Sequence, residues 1–476
     1  MNPILLGLIL YLVVVLIIGI VSTRRNRTHA DFLIANRQLG PFTIALSERA
    51  SAESAWIVLG LPGAALSAGL AEIWTVIGCL LGIFFSWLWI AQPLREKAGK
   101  FNSLTLPDVI ASHFGDADHW LRLSGSMIIT FFFALYIAAQ FCGAGKIIYS
   151  TFGLPPISGI LLGGGIIVLY TIFGGFRAVV WTDVVQAILM FGTLVILPII
   201  GLVALITSGP HNYLTQIPAA SNRLPAFTFM AIISGLSWGL GYTGQPHLLI
   251  RFLAINDAQQ IKQARRVAFI WAIPAFFGAY CLGIIGLKLY GAGPFNDPET
   301  VMPFLATHLL PSFIAGIMIS GAMAAMMSTA DSQLLVMTST ISEDVLHRTF
   351  RLKFNQPKFL LINRLATCGV GLMAFVLALT SKELVFNLVS YAWSGLGASF
   401  GPIILGILFW KKITRAGALA SMWTGALSTI LWKNIPILNN LITERLASYV
   451  LAVSVIFVVS KLTWRESARN ALVQKE

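Results

Sequence analysis

Three sets of polar side chains stand inside runs of sequence that are otherwise apolar. Arg49 and Glu53 share one run, Asp183 follows Trp181 and Thr182 in a second, and Ser328, Thr329, Asp331 and Ser332 lie in a third. A dehydrated Na+ wants several hard oxygen ligands, and hydroxyls with freed backbone carbonyls supply them without a full negative charge. Ser328 and Thr329, beside Ala325, fit that chemistry. The competing reading is that Ser and Thr in an apolar helix only bond their own backbone. Asp183 is a functional candidate because an ionisable residue within a membrane span is costly, with a helix-end charge reaching water as the plainer alternative. Arg49 and Glu53 have the four-residue spacing of a helical ion pair.

The elements that must position these groups are two interrupted apolar segments. The first, residues 41–66, holds Ala50, Ser51, Gly60, Pro62 and Gly63, and the second, residues 227–251, holds Gly235, Trp238, Gly239, Gly241, Tyr242, Gly244, Gln245 and Pro246. Inside hydrocarbon every N–H and C=O needs a partner, so a helix breaks only where it is buried or lines a wet cavity. Small residues also serve close helix packing. Two such breaks, one in each half of a chain, point to a solute and ion site near the middle of a membrane.

Composition supports that setting. The 476 residues are 57% hydrophobic and 11% charged, far below the roughly 25% charged content of soluble domains. Apolar spans long enough to cross a bilayer fall near 2–22, 40–66, 69–92, 123–149, 157–174, 184–207, 224–247, 265–290, 312–342, 359–380, 385–410, 413–433 and 446–462. That predicts an all-α polytopic membrane protein with about thirteen transmembrane helices. The first span lacks a basic start and is read as a helix, not a signal peptide. Arg24, Arg25, Arg27 and Arg37 follow it, so this loop is expected to be cytoplasmic and the N-terminus external, with a cytoplasmic C-terminus. The net charge of +13 therefore reads as a topology signal at an anionic leaflet, not as nucleic-acid binding. Cys79, Cys142, Cys281 and Cys368 are far apart, and the seven histidines form no ligand pairs. Asp116 and His119 are the nearest approach to catalytic residues at an interface, too little for a membrane enzyme.

No linker divides the chain, and one membrane domain is expected over 1–476. Setting aside the first helix and loop (1–39), ten spans divide into fives, at 40–207 and 224–410, with two additional helices and a short tail over 411–476. Each block opens with its interrupted helix. Five is odd, so the second block crosses with inverted polarity, which is the LeuT-type plan.

The residues also resemble a known family. Residues 46–64 (LSERASAESAWIVLGLPGA), 104–108 (LTLPD), 170–186 (YTIFGGFRAVVWTDVVQ), 238–252 (WGLGYTGQPHLLIRF), 324–336 (AAMMSTADSQLLV), 340–345 (TISEDV) and 391–405 (YAWSGLGASFGPIIL) resemble, in order, motifs of the solute:sodium symporter family. They are most like its proline-carrying bacterial members. The resemblance implies Na+ symport of proline or a related amino acid by alternating access, in the bacterial inner membrane. It implies a Na+ site made by Ser328, Thr329 and Ala325 with backbone carbonyls of Ala50 and Glu53, and a second cation near Asp183, Asp331 and Ser332. It implies a substrate pocket of Trp238, Tyr242, Pro246 and Tyr136, with Trp56 and Gln245 as further candidates. The flat aromatic faces suit an apolar ring such as pyrrolidine.

The chain departs from the family pattern in one patch. Ala52 stands where the proline carriers have Asp, Glu53 and Asp331 replace small or apolar residues, and Arg49 replaces glycine. Arg49 and Glu53 then read as a structural pair or as coupling groups. In the second case Glu53 or Asp331 titrates and makes H+ the coupling ion, or the Arg49 guanidinium stands in for a cation. Transport of another small zwitterion or organic acid stays open beside proline.

Overall fold

The computed structural model describes residues 2–23, 29–115, 119–208, 227–352, 355–381 and 383–473. Arg24, Arg25, Arg27 and Asp116 lie outside those residues. Within them the protein is helical apart from a single bridge between Leu39 and Ile255. Eight helical stretches are long and apolar enough to cross a membrane. The apolar helices Pro3–Gly19, Pro156–Leu169 and Phe229–Gly241 are shorter.

The main helices are α1 (Pro3–Thr23), α2 (Pro41–Ala52), α3 (Leu61–Ala68), α4 (Ile73–Phe85), α5 (Trp120–Phe152), α6 (Pro156–Ser208), α7 (Phe229–Leu236) and α8 (Trp238–Gly241). They continue as α9 (Pro246–Ala254), α10 (Ile261–Tyr290), α11 (Ser312–Ser339), α12 (Gln356–Thr380), α13 (Val385–Phe409), α14 (Arg415–Asn434) and α15 (Glu444–Val473). Gly175 takes φ 61° and ψ −178° inside α6 and turns the chain there, a conformation open to glycine and strained for other residues.

Both expected interruptions are present. α2 ends at Ala52, Glu53 leaves helical geometry at φ −99° and ψ 9°, and a π-helical turn over Trp56–Gly60 leads into α3. The second break falls after α8, where Gln245 is extended at φ −80° and ψ 110°. Pro246 explains it, because the residue before proline is pushed out of helical space.

Glycine contacts pack α4, which follows the first break, against the α7–α8 segment that precedes the second. A Cβ on Gly78 would stand 2.5 Å from the carbonyl oxygen of Gly235, and one on Gly82 would stand 2.6 Å from the Cα of Gly239. The two pairs repeat every four residues on both helices, the small-xxx-small pattern of membrane helix contacts. Gly82→Val or Gly78→Val should therefore destabilise the protein by about 1–3 kcal/mol through overpacking. Thermal unfolding in detergent measures this, and an unchanged midpoint would contradict the contact.

Candidate functional site

The first group joins α2 to α11. Ser328 Oγ donates to the carbonyl of Ala50 at 2.9 Å and to that of Ala325 at 3.1 Å. Thr329 Oγ1 donates to the carbonyl of Ser51 at 2.9 Å. Ala50, Ser51, Ala325, Ser328 and Thr329 are each fully buried. Two hydroxyls and three carbonyls thus converge where α2 is about to end. These neutral hard oxygens fit Na+ in number and chemistry. Ala50, Ala325, Ser328 and Thr329 come together as the sequence expects. Ser51 enters beside them, while the Glu53 side chain turns to Arg49.

The second group is centred on Arg251. Its guanidinium donates to Ser47 Oγ (2.8 Å), Ser51 Oγ (2.5 Å), Ser332 Oγ (2.6 Å) and Asp183 Oδ2 (2.8 Å), and to the carbonyl of His247. Ser332 Oγ in turn donates to Asp331 Oδ1 at 3.1 Å. Asp183, Asp331 and Ser332 are therefore one cluster, with an arginine at its centre. Asp183 is fully buried and does not reach water as a helix-end charge would. Its Oδ1 has no hydrogen-bond partner among the described residues.

The third group surrounds Arg49. The expected pair is present, with Arg49 donating to Glu53 Oε1 at 2.7 Å. A second carboxylate joins it: Arg49 Nε donates to Glu48 Oε2 at 2.6 Å and its terminal nitrogen to Glu48 Oε1. Trp87 Nε1 also donates to Glu48 Oε2, at 3.1 Å. Tyr242 Oη reaches both Glu53 oxygens at 3.4 Å, and the Arg49 guanidinium carbon lies 5.9 Å from the Tyr242 ring centre.

The aromatic residues close over these groups. Trp56 and Trp238 stack at 4.9 Å with planes 15° apart, and Phe386 packs on Trp238 at 5.1 Å. Tyr242 meets Trp393 edge-on at 4.8 Å, Trp393 Nε1 donates to the carbonyl of Trp238, and Gln245 Nε2 donates to that of Trp393. Tyr136 Oη donates to Ser54 Oγ at 3.4 Å. Trp56, Trp238, Tyr242, Pro246, Tyr136 and Gln245 are all buried. The first break is satisfied from α5, where Gln140 Oε1 accepts the freed N–H of Ala55 at 2.9 Å.

Ion pairs hold both ends of the bundle. At one end Lys146 bridges Asp297 and Glu299, whose carboxylate also accepts the N–H groups of Val385 and Phe386 at the start of α13. At the other, Arg122 pairs with Asp108 at 2.8 Å, and Thr105 Oγ1 donates to Asp344 at 2.8 Å. His119 contacts Arg122.

Arg251, Glu48, Ser47, Ser51, Gln140, Trp87 and Trp393 are the residues that sequence reasoning missed. Arg251 had a signal: an arginine in an apolar run four residues after His247, in a chain whose Asp183 needed a partner.

Two broken helices packed break against break over buried hydroxyls and carboxylates define a secondary transporter. The fold is shared with a Na+-coupled sialic acid symporter, at a TM-score of 0.77 and 17% identity over 97% of this chain and 98% of that one. It is shared also with MhsT in complex with L-phenylalanine, at a TM-score of 0.56 and 15% identity over 89% and 98% of the two chains. Residues 32–425 match the sodium:solute symporter family, and the chain belongs to that family, which is one of multi-pass membrane transporters and not of enzymes. It is 39% identical to the high-affinity proline transporter PutP of Bacillus subtilis over 94% of this chain and 96% of that protein. It is 38% identical to the sodium/proline symporter of Escherichia coli over 91% and 88%.

The Arg251–Asp183 pair has a measurable consequence. Removing one partner of a buried ion pair leaves an uncompensated charge and costs about 3–5 kcal/mol. Arg251→Met should lower thermal stability on that scale, and the double variant Arg251→Met, Asp183→Asn should recover most of it. Additive losses would show that the two side chains act separately.

Proposed function

We propose that this chain imports proline, or a closely related small amino acid, by Na+ symport with alternating access. The observation that carries the coupling is the convergence of Ser328 and Thr329 on the carbonyls of Ala50 and Ser51 at a helix break. Ala325 completes the Na+ site, with the Glu53 carbonyl as a further ligand. When Na+ is bound it draws these oxygens together and ties α2 to α11. That contact favours one relative position of the two helices, which is the differential affinity that coupling requires.

The solute lies between the breaks, against Trp238, Tyr242, Pro246 and Tyr136, with Trp56 and Gln245 alongside. Its apolar ring separates the Trp56–Trp238 stack, which is closed in the present structure. N–H groups freed where the helix is interrupted suit its carboxylate. Asp183, Asp331 and Ser332 form the second cation position, with the Arg251 guanidinium filling it in the arrangement seen here. The five-helix units 40–207 and 224–410 move against each other around this centre. The N-terminus is external, the C-terminus cytoplasmic, and the setting a bacterial inner membrane; the basic loops support that orientation.

The test is uptake of radiolabelled L-proline into proteoliposomes under an imposed Na+ gradient or, separately, an imposed H+ gradient. Uptake should require Na+, and Ser328→Ala or Thr329→Ala should raise the half-saturating Na+ concentration by at least about tenfold, the equivalent of one lost ligand at about 1.4 kcal/mol. Uptake driven by H+ alone, with Ser328→Ala tolerated, would overturn the Na+ assignment and make Glu53 the coupling group.

A further inference from the structure

The Arg49 cluster contains one cation and two carboxylates, and the geometry divides them unequally. Glu48 takes the guanidinium edge with both oxygens, from Nε and a terminal nitrogen, and receives Trp87 Nε1 as well. This two-pronged arrangement is the strong form of an arginine–carboxylate pair. Glu53 receives one guanidinium N–H on Oε1, while among the described residues Oε2 has only the Tyr242 hydroxyl at 3.4 Å. The positive charge of Arg49 is matched by Glu48, and Glu53 is the carboxylate in surplus. Its side chain has no exposure. One guanidinium between two carboxylates leaves the cluster a negative charge that Arg49 alone does not balance, and that is costly where burial is complete.

The proposed Na+ site uses only the backbone carbonyl of Glu53, beside the oxygens of Ala50, Ser51, Ala325, Ser328 and Thr329, so the Glu53 carboxylate is not one of its ligands. Glu53 instead lies at the first break, three residues before Trp56, and is bonded to Tyr242 at the second. It is thus a side chain shared by both walls of the solute position, among buried aromatic rings. A carboxylate beside aromatic faces is the chemistry that receives an ammonium group. We propose that the Glu53 carboxylate is the counter-ion for the positively charged nitrogen of the transported solute, so that the protein selects a cationic or zwitterionic amine and rejects its uncharged-nitrogen isosteres. This rests on the solute position given above and assigns its charged recognition element. The carboxylate missing at Ala52 is in this reading not displaced within the ion site but moved, as Glu53, into solute binding.

The experiment is equilibrium binding to the purified full-length protein in Na+, read by thermal stabilisation. The probes are L-proline, glycine betaine and choline. Their isosteres are tetrahydro-2-furoic acid, in which oxygen replaces the ring nitrogen, and 3,3-dimethylbutan-1-ol, in which carbon replaces the choline nitrogen. At least one cationic probe should bind at least about tenfold more tightly than its isostere, since a site built for a polar group rejects the analogue lacking it. Glu53→Gln should abolish that preference, bringing each cationic probe down to the affinity of its isostere. Glu53→Asp, which keeps the charge, should retain the preference at lower affinity, and it decides the matter if the Gln variant does not fold. Isosteres binding as well as their parents, a preference that survives Glu53→Gln, or no binding of any cationic probe would each overturn the proposal. A cationic probe that binds in the expected manner but is not driven by Na+ in proteoliposomes would support it and overturn the Na+ reading instead.

Discussion

The constraint on which this structure depends is that a helix interrupted in hydrocarbon must find new partners for its backbone. The two interruptions meet it differently. At the first, Gln140 reaches across from α5 to take the Ala55 N–H, and the Ala50 and Ser51 carbonyls are taken by α11 hydroxyls. At the second, the Trp238 carbonyl accepts from Trp393 of α13. Each break is therefore held by helices outside its own segment. Any exchange of those partners thus alters the helix contacts at the same time.

Buried charge follows from the same constraint. Arg49 and Arg251 are fully buried or nearly so; Arg49 is held by Glu48 and Glu53 of its own segment, and Arg251 by oxygen acceptors from several. Such clusters are weak sources of net stability, since desolvation offsets most of the attraction. Their value lies in geometry. Arg251 fixes α9 to Ser47 and Ser51 of α2, to Asp183 of α6 and to Ser332 of α11, so four helices share one side chain. A displacement of any one of them changes the environment of the other three.

The fold was legible in the sequence because apolar length and Gly and Pro interruptions are local signals. Ser328, Thr329 and Ala50 were legible too, through a motif. The Arg49–Glu53 pair followed from four-residue helical spacing. Glu48 did not, because adjacent helical residues point about 100° apart and only the length of the arginine arm closes the gap. Arg251 was hidden for another reason. At the end of an apolar run it counts as a topology charge, and only the tertiary packing of α9 against α2 and α6 makes it a core residue. Gln140 and Trp393 were equally invisible, since what they partner is a freed backbone group with no sequence signature of its own.

One end of the bundle differs from its centre in a way that bears on movement. In the core, hydroxyl, carboxylate and guanidinium groups have no water to replace a lost partner, so separating them is expensive unless a ligand intervenes. Lys146, by contrast, is 19% exposed at its side chain where it holds Asp297 and Glu299, and Asp297 is 32% exposed. Ion pairs that touch water are worth little net, because solvation compensates each ion on opening. The Lys146–Asp297 contact can therefore part at small cost, whereas Arg122, Asp108 and Asp344 at the other end are nearly as buried as the central clusters. Such a distribution of strong and weak polar contacts lets a transporter open toward one side without coming apart in the middle. It also leaves the costly polar contacts on the α2–α11 oxygens and the two helix breaks, where the proposed ion and solute positions lie.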